Sequence, residues 1–85
     1  MTAPRSDIVL AELTRLLTRI CEHDQSGLSQ SVKIEDIPGI DSLRVLQAIA
    51  HLEEEFQVEV EIEALGRLIV VRDILDAICR ARPMA

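Results

Sequence analysis

Between Asp7 and Cys21 the apolar residues Val9, Leu13, Leu16, Leu17 and Ile20 follow the i, i+4, i+7, i+8, i+11 series of one helical face. Glu12, Arg15, Arg19 and Glu22 take the other side. The spacing predicts an amphipathic helix with Pro4 just upstream and Ser6 or Asp7 as its cap. A second stripe runs through Leu43, Leu46, Ile49, Ala50, Leu52 and Phe56, bounded by Pro38-Gly39 and Gln57, with Asp41 placed as N-cap. Val71, Ile74, Leu75 and Ile78 repeat at i, i+3, i+4, i+7 and predict a last helix closing near Arg80, ahead of Pro83. Ile69-Val70 brings no polar side chain to the start of that helix, at a cost of about 1 kcal/mol unless another group serves.

The connections differ in character. Residues 24–41 (DQSGLSQSVKIEDIPGID) are punctuated by Gly, Ser, Asp and Pro without a sustained period, which predicts a long loop. Leu28, Val32, Ile34 and Ile37 are spaced along it so as to pin it onto the helices. Residues 56–62 (FQVEVEI) alternate as a strand would, but the chain shows no second strand pattern to pair with. An extended connection is therefore expected there, followed by one or two helical turns over Ile62–Leu68 that end near Gly66.

Composition narrows the function. The 85 residues are 48% hydrophobic but only 1% aromatic, so the core must be aliphatic around the single Phe56. A chain of this size forms one small domain, expected over residues 1–85 with 1–5 and 82–85 flexible, and has no room for an enclosed active site. A formal net charge of −6 argues against binding nucleic acid or an anionic membrane. Between residues 41 and 63 only Arg44 offsets Asp41, Glu53, Glu54, Glu55, Glu59, Glu61 and Glu63, a segment that should attract basic partners. No signal-peptide pattern opens the chain, so a cytoplasmic location with reduced thiols is expected. Cys21, His23, His51 and Cys79 lack the short spacing of zinc ligands, so no metal is expected and both cysteines read as small apolar residues.

Ser42 stands apart. It follows a Gly/Pro-containing loop and opens a helix directly after a capping Asp41, which presents its hydroxyl to solvent. An anion built on that hydroxyl would sit at free backbone N–H groups and the positive end of the helix dipole. Asp41-Ser42 is also an ordinary helix cap, and the dipeptide alone favours that reading. A hydrolytic nucleophile is excluded with His51 as base, because nine helical residues place the two about 13.5 Å apart and nearly half a turn round. No Gly-x-Ser-x-Gly elbow surrounds the serine.

The stretch Gly39-Ile40-Asp41-Ser42-Leu43, with Leu52-Glu53-Glu54-Glu55-Phe56, Val58-Glu59-Val60 and the closing Val71-Arg72-Asp73-Ile74, resembles the acyl carrier protein family over nearly the whole chain. Pro38-Gly39-Ile40-Asp41 is similar to the form found in some specialised carriers. The resemblance implies an all-α four-helix bundle with a long loop between helices 1 and 2 and a short third helix. It implies a 4′-phosphopantetheine arm, taken from coenzyme A, on Ser42 of the Asp41-Ser42-Leu43 triplet. It also implies acyl intermediates carried as thioesters, with no catalysis by the carrier itself. A phosphopantetheinyl transferase and acyl- or aminoacyl-loading, elongating or transferring enzymes are the implied partners.

Bulk fatty-acid carriers bear acidic or small polar residues just past the triplet, where this chain has Arg44 and Gln47. On a helix, residues 44, 47, 48, 51 and 55 share a face, which reads Arg44, Gln47, Ala48, His51, Glu55. The expected docking set is therefore Arg44, Gln47, His51, Glu53, Glu54 and Glu55. The expected function is a freestanding, monomeric carrier in a specialised lipid or secondary-metabolite pathway. The alternative from another class is an unmodified acidic helical module that binds a basic partner through Glu53–Glu63.

Overall fold

The computed structural model describes residues 4–84. Helix α1 spans Ser6–Ile20 and buries Val9, Leu13, Leu16 and Leu17, with Ile20 half-buried. Its cap falls on Arg5, one residue earlier than expected, and the Arg5 side chain makes no capping hydrogen bond. A single 3-10 turn, Ile34–Asp36, interrupts the long loop before α2 at Ser42–Phe56. The short third helix, α3, is Ile62–Leu65 and reaches its C-cap at Gly66, and α4 is Val71–Cys79 with Arg80 as C-cap. Helices α1, α2 and α4 pack on one another around the aliphatic core, while α3 contributes only the half-buried Ala64 and Leu65. The fold is the all-α bundle expected.

The buried face of α2 departs from the apolar stripe in the sequence. Leu43 is 65% exposed, Leu46 48% exposed, and Ala50 is exposed too. The face turned inward is Val45, Ala48, Ile49, Leu52 and Phe56, again at helical spacing. At about 100° per residue, Leu46 stands about 100° from the middle of that face and Leu43 about 165°. Small Ala48, 1% exposed, lies on the core side, so it leaves the surface row expected with Arg44 and Gln47. α2 thus shows solvent two separate sides, a polar row Arg44, Gln47, His51, Glu55 and an apolar one Leu43, Leu46, Ala50.

The segment expected as an unpaired connection is a strand with a partner. β1 (Val58–Glu59) pairs antiparallel with β2 (Arg82–Pro83), Val58 opposite Pro83 and Glu59 opposite Arg82. The Met84 amide donates to the Gln57 carbonyl at 2.9 Å, and Arg82 lies 3.8 Å from Glu59. Arg82–Pro83 thus pairs with the segment just past the end of α2, and Arg5 is the N-cap residue of α1. Residues 1–3 and 85 of the expected flexible ends lie outside the described residues.

The long loop is held as its apolar residues predicted. Ile34 and Ile37 are buried, Leu28 and Val32 half-buried. The loop also crosses the start of α4: the Val71 and Arg72 amides donate to the carbonyls of Val32 and Gln30, both at 2.9 Å, and the Ile34 amide donates to the Ile69 carbonyl. Asp73 turns back to accept from the Ile69 and Val70 amides at 2.9 Å each. The missing polar cap is replaced by loop carbonyls and a carboxylate inside the helix.

Candidate functional site

The site is assembled where the long loop enters α2. Asp41 has extended backbone geometry, and its carboxylate accepts the Arg44 amide at 2.8 Å, as the sequence predicts for an N-cap. Ser42 follows as the first helical residue and is exposed, with Leu43 exposed beside it. The amides of Ser42 and Leu43 precede the first intrahelical donor, the Val45 N–H, so they and the helix dipole favour an anion beside the Ser42 oxygen.

Three contacts hold the turn before the serine. The Gln25 side-chain amide donates to the Pro38 carbonyl at 3.0 Å, and Gln25 is only 4% exposed. The Arg44 guanidinium donates to the next carbonyl, that of Gly39, at 2.7 Å, and stands 3.8 Å from the Asp41 carboxylate. Gly39 has φ +78°, and a Cβ there would meet the Cβ and carbonyl oxygen of Cys21 at 3.1 Å. Glycine is required at this position by both backbone conformation and space. The sequence drew attention to Arg44 only as a surface charge and to Gln25 not at all, since a glutamine in a Ser/Gly-rich loop carries no periodic signal.

Beside Ser42 opens a cleft of about 450 Å³ between the loop, the start of α2 and the segment leading into α4. Ile34, Ile40, Val45, Leu68 and Ile69 make its apolar wall, with Lys33, Glu35 and Asp41 supplying charge. A neighbouring hollow of about 270 Å³ shares Ser42 and reaches Leu46 and Leu65. This apolar lining next to an exposed hydroxyl was not legible in the sequence, because it draws on residues from three distant segments.

The expected docking residues separate. Gln47, His51, Glu54 and Glu55 are exposed on α2. Glu53 is half-buried, and its carboxylate accepts the Val60 amide at 2.8 Å, which ties it to the segment after α2. Arg44 is half-buried and directed at the loop. Glu55 adds its charge to that of Glu12, whose hydrogen bond and charge are the main causes that raise the pKa of Arg15 on α1.

The two cysteines are free, and burial raises both thiols above the ordinary range. Among the described residues no group of three His, Cys, Asp or Glu side chains is placed to hold a metal, and no helix is long and apolar enough to cross a membrane.

Comparison with known proteins agrees with this geometry. The family described as "Phosphopantetheine attachment site" matches residues 11–78. The fold is similar to the crystal structure of an acyl carrier protein from Thermotoga maritima, with a TM-score of 0.76 at 19% identity over 86% of this chain and 85% of that one. It is also similar to the actinorhodin holo acyl carrier protein from S. coelicolor, with a TM-score of 0.66 at 30% identity over 94% and 92%. The chain belongs to the acyl carrier protein family, whose domain is the site of covalent 4′-phosphopantetheine attachment. It is a carrier rather than a catalyst, and carriers of this kind meet phosphopantetheinyl transferases and acyl-handling enzymes. The family match decides against the unmodified interaction module.

Proposed function

We propose that Ser42 bears the phosphopantetheine arm and that the protein carries acyl intermediates, as a monomeric domain over residues 1–85, in a specialised cytoplasmic pathway. The observation that carries the assignment is the exposed Ser42 at the first position of α2, behind the Asp41 cap and at the mouth of an apolar cleft. In the loading step the Ser42 oxygen bonds to the phosphorus that carries pantetheine in coenzyme A. The pyrophosphate P–O bond breaks, adenosine 3′,5′-bisphosphate leaves, and the hydroxyl proton passes to a base on the transferase. Once bound, the arm supplies a thiol that holds acyl groups as thioesters. The phosphodiester would rest at the unfilled amides of Ser42 and Leu43.

The specialised pathway is supported by Arg44 and Gln47 on the polar side of α2, and by similarity to a carrier named for one product, actinorhodin. The apolar wall of the cleft, from Ile34, Ile40, Val45, Leu68 and Ile69, is in keeping with an aliphatic cargo, whether lipid or secondary-metabolite intermediate. The direct test is intact mass after incubation with coenzyme A and a broad-specificity phosphopantetheinyl transferase. Wild type is expected to gain one arm and Ser42→Ala none, with unchanged circular dichroism because the Ser42 side chain is outside the core. A modified Ser42→Ala, or a wild type left unmodified by several transferases, would remove the assignment.

A further inference from the structure

We propose that Arg44 and Gln25 are positioning residues for the modification of Ser42, acting as a clasp on the turn that presents it. The inference rests on Ser42 being the attachment point. Consecutive carbonyls of the Pro38-Gly39 pair each accept a side-chain donor, Pro38 from buried Gln25 at 3.0 Å and Gly39 from Arg44 at 2.7 Å. The two donors approach from different parts of the fold. Gln25 lies just past α1, with its own amide donating to Thr18 Oγ1 at 3.1 Å, and Arg44 lies in the first turn of α2. Between them, Gly39 sits against Cys21 at the end of α1 with no space for a side chain.

The clasp bears on the serine through Asp41. Arg44 gives its backbone N–H to one Asp41 carboxylate oxygen, while its guanidinium reaches the Gly39 carbonyl and lies near the other oxygen. The backbone at position 44 holds the cap, and the Arg44 side chain holds the turn two residues ahead of it. Without those donors, the 38–41 turn has more conformations available, and only a fraction of molecules present Ser42 at the start of an intact helix. Apparent affinity for the transferase falls by that fraction, while molecules that do bind react normally. The loss is expected in KM for the carrier, with kcat retained.

This role differs in kind from a surface charge that steers docking. A rim charge works through long-range attraction that salt screens, whereas a clasp works on the free carrier at any ionic strength. Gln25 is neutral and 4% exposed, so it does not itself meet the transferase as a docking charge would.

The experiment measures transferase kcat and KM for wild type, Arg44→Met, Arg44→Lys and Gln25→Met at low and high salt, alongside amide hydrogen exchange. Arg44→Met and Gln25→Met should each raise KM by about three- to tenfold at both ionic strengths, the fold-change expected of one lost hydrogen bond. Arg44→Lys, which keeps a donor, should lie between Arg44→Met and wild type. Exchange at the Ile40 and Arg44 amides, bonded to the Ile37 carbonyl and to Asp41, should accelerate in Arg44→Met while the α1 core amides stay protected. That readout holds even where Gln25→Met loses stability. A wild type that takes no arm overturns the Ser42 assignment and the clasp with it. A wild type that loads normally while Arg44→Met and Gln25→Met keep its KM and its exchange rates overturns the clasp alone. A KM change for Arg44→Met that disappears at high salt, with Gln25→Met unaffected, likewise overturns it in favour of a docking charge.

Discussion

The Glu53 carboxylate accepts the backbone N–H of Val60 at 2.8 Å, bridging the last turn of α2 to the residue just past β1. A half-buried acid bonded to the amide of a buried residue is a structural strut, although it opens a Glu-Glu-Glu run that the sequence presents as surface charge. Glu53→Ala should cost about 1 kcal/mol, since it leaves the Val60 amide without its acceptor. Glu53→Gln keeps an acceptor and should cost less, while Glu54→Gln, fully on the surface, should cost little. Urea midpoints of the three variants check the order, and equal midpoints would remove the strut.

A second stability test follows from the rotation of α2. Ile49 is 3% exposed and Leu46 is 48% exposed. Ile49→Ala should destabilise the fold by about 2–5 kcal/mol, because it deletes methyl groups from a filled core. Leu46→Ala should cost under about 1 kcal/mol. Thermal or denaturant unfolding that ranks the two equally would mean that Leu46 is on the core side after all.

Asp73 gives a pH dependence with a definite sign. Hydrogen bonds from the Val70 and then the Ile69 amide hold its carboxyl below the ordinary carboxylate range. A folded value below the unfolded one means that the charged form contributes stability above the unfolded value, and that this is lost as pH falls through the folded one. Asp73→Asn should therefore be less stable than wild type at neutral pH, and the gap should narrow below about pH 4. Denaturant midpoints from pH 7 downward check it; a gap constant with pH would show that the charge plays no part.

Partner choice is best probed at Gln47. Arg44 has a structural engagement with Gly39, so reversing its charge would disturb the turn as well as the surface. Gln47 is exposed with no such bond in the structure. Gln47→Glu restores acid where bulk fatty-acid carriers bear it, and should speed malonyl loading by a general malonyl-transfer enzyme by about two- to fivefold at low salt. The gain should shrink as salt rises. A wild type already as fast as an ordinary fatty-acid carrier would argue against a specialised partner.

The parts legible in the sequence share one property: a regular period with a single reading. The α1 face satisfies one helical series and nothing else, and Asp41 precedes its helix in a way that admits one cap geometry. On α2 two apolar rows compete, and which one turns inward is decided by packing against α1 and α4, where small Ala48 fits. The alternation over 56–62 was a true strand signal, but its partner is only Arg82–Pro83, too short to carry a period and containing a proline that suits a sheet edge. The substitute cap on α4 and the clasp before Ser42 depend on residues far apart in sequence or in unpatterned loop, as with Val32 and Val71 or Gln25 and Pro38. Such contacts leave no trace in local periodicity.

The pairing of β2 with β1 also decides where attachments can be made. The Met84 amide is tied to Gln57, which lies 15 residues beyond Ser42 along α2. At about 1.5 Å per residue the two ends of that helix are about 22 Å apart, a large part of the 33 Å long axis of the molecule. A fluorophore, affinity handle or fused enzyme joined after β2 would therefore leave from the opposite end of α2 to the serine. Carrier immobilised through that end on a sensor surface should keep Ser42 open to soluble enzymes, with the strand pair acting as a fixed anchor point rather than a swinging linker.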